Sequence, residues 1–382
     1  MATRVDVKPE LLRWAAERAG LGGAALARRV PQFGAWESRQ AAPTLKQLEH
    51  FAGVTHTPIG YLFLPEPPVE RVPIPDFRTI TAGQPSRPSA DLLDTLYLCQ
   101  QRLDWYRGFA RSEGDQRLAF VGSARLTDEV PAVAERLRVA LGFDLEARRQ
   151  MPSWTEALRR FIAQADALGV LVMVSGVVGS NNHRKLDPNE FRGFALVDPV
   201  APLVFINGSD TKAAQMFTLA HELAHVWLGE SALSDAAPDR QPAHVVERWC
   251  NDVAAELLVP LARLRDEYRA ASPLPEEARR LAAVFKVSTL VVLRRVHDAG
   301  ALGRDEFWDA YEREVEHIRG LRKSDGGDFY LTLAARVSKR FARALVVSTL
   351  EGRSSFTEAF RLLGFRKMAT FRDLARSLGA YA

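Results

Sequence analysis

Two histidines, His221 and His225, stand four residues apart, with Glu222 directly after the first, in the run Phe217-Thr218-Leu219-Ala220-His221-Glu222-Leu223-Ala224-His225. On a helix, residues four apart share one face and lie about one turn from each other. Two imidazoles so placed hold one tetrahedral zinc ion, and Glu222 points aside. There its carboxylate takes a proton from the water that zinc activates without itself ligating. Zinc lowers the pKa of that water to about 7, which suits hydrolysis at neutral pH. With eight His in 382 residues, composition alone yields this spacing in on the order of one chain in a hundred. The plain alternative is a helix with two exposed histidines. Phe217, Leu219 and Ala220 before the pair, and Val226, Trp227 and Leu228 after it, argue against exposure.

A catalytic zinc takes three protein ligands and keeps one position open. The third is sought in Val246-Glu247-Arg248-Trp249-Cys250-Asn251-Asp252-Val253-Ala254-Ala255-Glu256-Leu257-Leu258-Val259-Pro260. Glu247 is preferred, and Asn251 lies one turn further on the same face, placed to orient a ligand. Glu256 and Asp252 compete with it, and His244 is a more distant choice. Cys250 is near the Glu247 face, and thiolate binds zinc well. A lone cysteine among apolar neighbours is nevertheless more often a small buried hydrophobe.

These residues need elements to position them. Apolar periodicity predicts helices near 210–228 and 243–258, the second stopped by Val259-Pro260. Ahead of them, 170–178, 192–197 and 202–206 are short and rich in Val, Ile and Phe. They read as strands of a small sheet, with turn signals at Asn181-Asn182, Asp187-Pro188 and Asp198-Pro199. The chain begins with short amphipathic helices, one of them starting at Pro43-Thr44. The prolines Pro58, Pro65, Pro67, Pro68, Pro73 and Pro75 then indicate a stiff linker ending at Pro75-Asp76-Phe77-Arg78. Segments 90–169 and 261 onward are mostly helical. Gly326 to Tyr330 introduces a helix carrying Arg336, Lys339, Arg340 and Arg343, read as a solvated basic face.

Ile206-Asn207, the His221–His225 run, and Glu247-x-x-x-Asn251-x-x-Ala254-Ala255-Glu256-Leu257-Leu258-Val259-Pro260 together resemble the ImmA/IrrE family of bacterial metallopeptidases, over roughly 167–296. The resemblance implies a small gluzincin-like fold with zinc bound by His221, His225 and Glu247, and Glu222 as general base. It also implies that the strand Pro202 to Ile206 is the sheet edge that receives an extended peptide. Cys250 stands where the family usually has Ala. Known members cleave a helix-turn-helix repressor and switch on stress-response or mobile-element genes, so a repressor-like protein substrate is implied by analogy.

Leu12-Arg13-Trp14-Ala15-Ala16-Glu17-Arg18-Ala19-Gly20-Leu21, Leu26-Ala27, Trp36-Glu37 and Pro43-Thr44-Leu45-x-x-Leu48 resemble an Xre-type helix-turn-helix domain. In that motif one short helix, here about 32–39, enters the major groove of double-stranded DNA. Gln32, Ser38, Arg39 and Gln40 are then candidate base contacts, and Arg28 and Arg29 candidate phosphate contacts. Pro31 and Trp36 are unusual for it, and a protein-gripping helical module is the other reading. Around Glu276 to Gly303 a helical extension also has helix-turn-helix character, though packing on the zinc domain accounts for it.

The expected architecture is therefore α+β and predominantly helical. It comprises a helix-turn-helix domain (1–65), a Pro-rich linker (66–89), a helical segment with the zinc peptidase core (90–260), a helical extension (261–320) and a C-terminal helical tail (321–382). The charge balance, 51 Lys and Arg against 47 Asp and Glu, neither marks nor excludes a nucleic-acid binder. Two cysteines, Cys99 and Cys250, are too few for a disulfide framework and suit a reducing cytoplasm. The start of the chain lacks the apolar core of a signal peptide, so a cytoplasmic protein without a membrane partner is expected. Manganese or iron can replace zinc in the same ligands. The rival reading is a transcriptional regulator, or an antitoxin with a cognate toxin, whose zinc site is structural or sensory. The tail resembles those of longer relatives associated with such gene pairs.

Overall fold

A computed structural model describes residues 4–77, 88–234, 244–320 and 336–380. Gly326 to Tyr330, expected to open a helix, lie outside the described residues. The chain divides into two compact units, one of 1–73 with 82–94 and one of 74–81 with 95–382. Helix predominates over a small mixed sheet.

In the first unit, α1 (Pro9–Arg18) begins on a proline, whose missing N–H costs nothing at a helix start. It is followed by α2 (Gly23–Arg29), α3 (Phe33–Glu37), α4 (Leu45–Val54) and a 3-10 turn at Ile59–Phe63. Thr44 starts α4 with a capping box. Its hydroxyl accepts from Gln47 N at 3.3 Å, and its own N–H donates to Gln47 Oε1 at 2.8 Å. Leu11, Leu12, Leu26, Trp36, Leu48, Phe51 and Leu62 form the core. Trp36 meets Phe51 edge-on at 6.4 Å, which binds α3 to α4. Arg18 is buried and ion-paired with Glu70 at 2.8 Å.

The second unit is built on a four-stranded sheet in the order β1-β5-β4-β6. Its strands are β1 (Leu171–Ser175), β4 (Gly193–Leu196), β5 (Leu203–Asn207) and β6 (Ala232–Ser234). β1 runs parallel to β5; β4 is antiparallel to both β5 and β6. All of β4 and β5 is buried, which is why both read as unbroken apolar runs rather than alternating ones.

Two expectations are corrected here. The strand over 202–206 is not an edge, because β4 and β1 flank it; among the described residues the outer strands are β6 and β1. Asn181-Asn182 is not a turn. These residues open β3 (Asn181–Lys185), which pairs with β2 (Val177–Val178) across a turn at Gly179 and Ser180. Gly179, at φ 55°, supplies the left-handed backbone that the turn needs, and it lies earlier than the Asn pair.

Helices surround the sheet. α5 (Ala90–Ser112), α6 (Val130–Leu141), the short α7 (Leu145–Arg149) and α8 (Trp154–Leu168) precede β1. α9 (Lys212–Leu228) lies against β4 and β5, and α10 (Val245–Leu258) packs on α9 and α6. α11 to α14 (Leu261–Glu267, Leu274–Phe285, Thr289–Asp298 and Arg304–Gly320) continue the same core. In the tail, α15 (Lys339–Leu350) carries the basic residues Lys339, Arg340 and Arg343, while Arg336 precedes it. Arg340 is not simply solvated. Its N–H donates to Asp166 at 3.0 Å and its side chain to the Tyr106 hydroxyl at 2.8 Å.

Candidate metal centre

α9 is the helix the histidine spacing predicts. Thr211 caps its start, accepting from Ala214 N at 3.2 Å, and Gly229 ends it at φ 85°, donating to the carbonyl of His225 at 2.9 Å. Every residue from Gln215 to Trp227 is buried. His221 and His225 therefore lie one turn apart inside the protein, their Nε2 atoms 3.1 Å from each other. Glu247 is the third residue of α10, where a carboxylate benefits from the positive end of the helix dipole. Its Oε2 lies 3.3 Å from His221 Nε2, and its Oε1 lies 2.9 Å from His225 Nε2.

This triangle has the dimensions of a metal site. Zinc bonds of about 2.0–2.1 Å in tetrahedral geometry separate ligand atoms by about 3.3 Å. Among the described residues, His221, His225 and Glu247 form the group whose ligand atoms converge, all within 4.8 Å of one another. Both oxygens of Glu222 and the Oε1 of Glu247 are buried without a geometric hydrogen-bond partner there. Buried polar atoms left so are costly, and a cation beside them offsets that cost.

Burial and neighbouring charges shift these groups in different directions. Burial opposes the Glu247 charge, but the two imidazoles override it and hold the carboxyl well below the usual range. Burial pushes Glu222 well above its ordinary value and the Glu247 charge pushes it further, with the Ser234 hydroxyl pulling partly back. Burial lowers His225, against the pull of Glu247. An ionised Glu247 and a neutral His225 are the forms that ligate metals. Glu222 is the buried carboxyl next to this group whose proton affinity is raised.

The other candidates lie elsewhere. Glu256 pairs with Arg295 and accepts from Leu261 N at 3.3 Å. Burial raises Asp252, which lies in the field of Arg294 and Asp298. His244 stacks on Phe77 with ring centroids 4.3 Å apart. Cys250 is fully buried, and burial together with the charges of Glu247 and Glu222 drives its thiol well up. Its sulfur does not join the converging group. Asn251 makes no hydrogen bond to a ligand, and its Oδ1 is buried without a partner among the described residues.

Three site residues escaped the sequence reading. Gly193 in β4 faces α9 so closely that a Cβ there would lie 2.6 Å from Thr218 Cγ2, 2.9 Å from Glu222 Oε1 and 2.9 Å from the Phe205 carbonyl oxygen. Its lack of a side chain lets the helix bring Glu222 down onto the sheet. Gly193→Ala is expected to cost about 1–3 kcal/mol by overpacking and to displace the Glu222 carboxylate. Thermal denaturation beside metal content checks this: an unchanged melting temperature would show that the contact relaxes freely. Ser234, at the end of β6, has its Oγ 3.5 Å from His225 Nε2. Phe77 is the third. No local signal in the sequence marks any of them, because each acts through a contact distant in the chain.

The candidate DNA contacts fall in the first unit. Arg28 and Arg29 are exposed at the end of α2; Gln32, Ser38, Arg39 and Gln40 are exposed on either side of α3. The helix expected over 32–39 is shorter, Phe33–Glu37. The Ser38 hydroxyl donates back to the Gly34 carbonyl at 2.8 Å, and Arg39 turns the chain at φ 58°, which together end it.

Residues 165–297, about a third of the chain, match the family model of the IrrE N-terminal-like domain. Residues 337–377 match a model described as a domain of unknown function (DUF8813). The first of these families is one of metal-dependent peptidases, which supports a metallopeptidase of the ImmA/IrrE type in this chain. No curated protein matches the chain. No solved structure does so either. No helix among the described residues is long and apolar enough to cross a membrane.

Proposed function

We propose that the chain is a zinc-dependent endopeptidase that cuts a specific, repressor-like protein, with a DNA-binding module at its N-terminus. The convergence of His221, His225 and Glu247 beside the fully buried carboxyl of Glu222 carries this reading. Zinc held by those three ligands would supply an activated water at neutral pH and polarise a peptide carbonyl. Glu222 accepts a proton from the attacking water and returns it to the leaving amine, for which its raised affinity for protons suits it. Ser234 sits against this carboxylate, and Gly193 fixes its distance from the sheet.

A structural or sensory site in a regulator or antitoxin is the rival, with a cognate toxin as partner. Structural zinc takes four protein ligands; among the described residues three converge, with a carboxylate left over. That favours catalysis. Manganese or iron fits the same donors. The test is a comparison of protein N-termini in cells expressing the wild type or Glu222→Gln: one new N-terminus, present with the wild type alone, is expected. Identical profiles would overturn the peptidase reading.

For the N-terminal unit, support comes from the three-residue turn between α2 and α3 and the exposed polar residues around it. Each phosphate contact contributes about 0.9 to the slope of log affinity against log salt. Arg28→Ala with Arg29→Ala is therefore expected to reduce that slope by about two on a duplex selected from random sequence. An unchanged slope would remove both arginines from the interface.

A further inference from the structure

β6 is an edge strand, yet its outer side is not bare. The segment just after the first unit lies along it: Phe77 N donates to the Leu233 carbonyl at 3.0 Å, and Leu233 N donates to the Pro75 carbonyl at 2.9 Å. Asp76 thus faces Leu233 in parallel register. Phe77 then lays its ring on His244, centroids 4.3 Å apart and planes at 27°, and faces the ligand His225 at 6.4 Å and 15°. The next residue of β6, Ser234, touches the same histidine. The backbone groups of Leu233 that 75–77 occupy thus adjoin Ser234, the residue in touch with His225.

An extended peptide recognised by a sheet edge uses just those groups, main-chain pairing for affinity and side-chain pockets for selectivity. The Pro-rich run, expected as a spacer, supplies such a peptide internally. Pro73 and Pro75 have no N–H to extend the ladder, Pro75 and Asp76 are exposed, and among the described residues the pairing with β6 is one bridge.

We propose that Pro75-Asp76-Phe77 is a displaceable internal occupant of the peptide-binding edge, keeping the metal centre closed to protein substrates, and that the ligand it excludes is an extended peptide with an aromatic side chain at the Phe77 position. This rests on the peptidase reading of the site. The strap is covalently continuous with the first unit, whose last residue before it is Pro73.

The test uses the zinc-loaded full-length chain in the uncleaving Glu222→Gln background and a fluorescein-labelled peptide of the sequence Val72 to Phe77. With the native strap, binding by fluorescence anisotropy is expected to be weak. With Phe77→Ala added it should tighten about tenfold or more, the scale of a lost aromatic anchor. The peptide with Ala in place of its Phe should not bind. Phe77→Leu, which keeps apolar bulk, covers the case in which alanine unsettles the fold, and should give an intermediate gain. Equal affinity for strapped and unstrapped protein at equal zinc content overturns the proposal. The two readings fail separately. A gain in peptide binding on Phe77→Ala without any Glu222-dependent cleavage by the Phe77→Ala protein that keeps Glu222 sinks the peptidase and keeps the strap. Glu222-dependent cleavage whose rate and peptide affinity ignore Phe77 sinks the strap and keeps the peptidase.

Discussion

Replacing Glu222 with Gln is expected to lower the cleavage rate by about 10²–10⁴-fold, the usual contribution of a positioned acid–base group, while metal content stays at one ion per chain. Gln has the shape of Glu222 and fits the space between α9 and Gly193. The carboxylate is not among the three converging ligand atoms, so the ligand set is untouched. Gln keeps the volume and leaves an oxygen for the Ser234 hydroxyl, so the fold should be about as stable as before. The informative result is thus a separation: turnover falls, while metal content and melting temperature do not. Elemental analysis, thermal denaturation and product quantification on the same preparation would show it. Loss of metal together with turnover would mean that Glu222 is itself a ligand.

The second large effect concerns Glu247. Glu247→Ala should empty the centre, with zinc falling from near one per chain to near zero after dialysis against a mild chelator. Two buried histidines 3.1 Å apart do not compensate for a missing anionic ligand. Stability should follow. A metal present at a thousand times its dissociation constant adds about 4 kcal/mol to folding, so zinc should raise the melting temperature of the wild type and leave that of Glu247→Ala unmoved. Full retention of zinc by the variant would return Glu256 or Asp252 to consideration, despite the engagement of Glu256 with Arg295. His221→Ala provides the parallel control from α9.

What the sequence made legible follows the range of the interactions involved. A four-residue spacing on a helix is a local property, so the His221–His225 pair and the apolar helix that carries it could be read directly. The helix start at Pro43-Thr44 was equally local. The preference for Glu247 over Glu256 rested on the family resemblance beside the residue types and not on any local spacing, since both stand on α10 and the packing of α10 on α9 decides which carboxylate reaches the imidazoles. Sheet order is still less local. The Val-Phe-Ile run of β5 reads as a strand, but no pattern within it reveals that β4 and β1 lie on either side, so the edge was misplaced. Asn181-Asn182 failed for a related reason: a strong turn signal was overridden by Gly179, two residues earlier. Phe77 was hidden by its surroundings, because proline-rich sequence suggests a spacer and its pairing partner, Leu233, is remote. Gly193 carried no signal, since its importance arises from the approach of a helix some 25 residues on.

One feature of α9 bears on how such a protein can vary. A helix buried from Gln215 to Trp227 offers no side on which residue volume can change without disturbing a neighbour, so its interior is closed to gradual substitution. Diversification of what the centre accepts must be carried by its surroundings: the short β6, the first turn of α10, and the peptide lying along the edge. Altered preference in engineered or natural variants should accordingly appear as exchanges on those three elements around an α9 that stays the same.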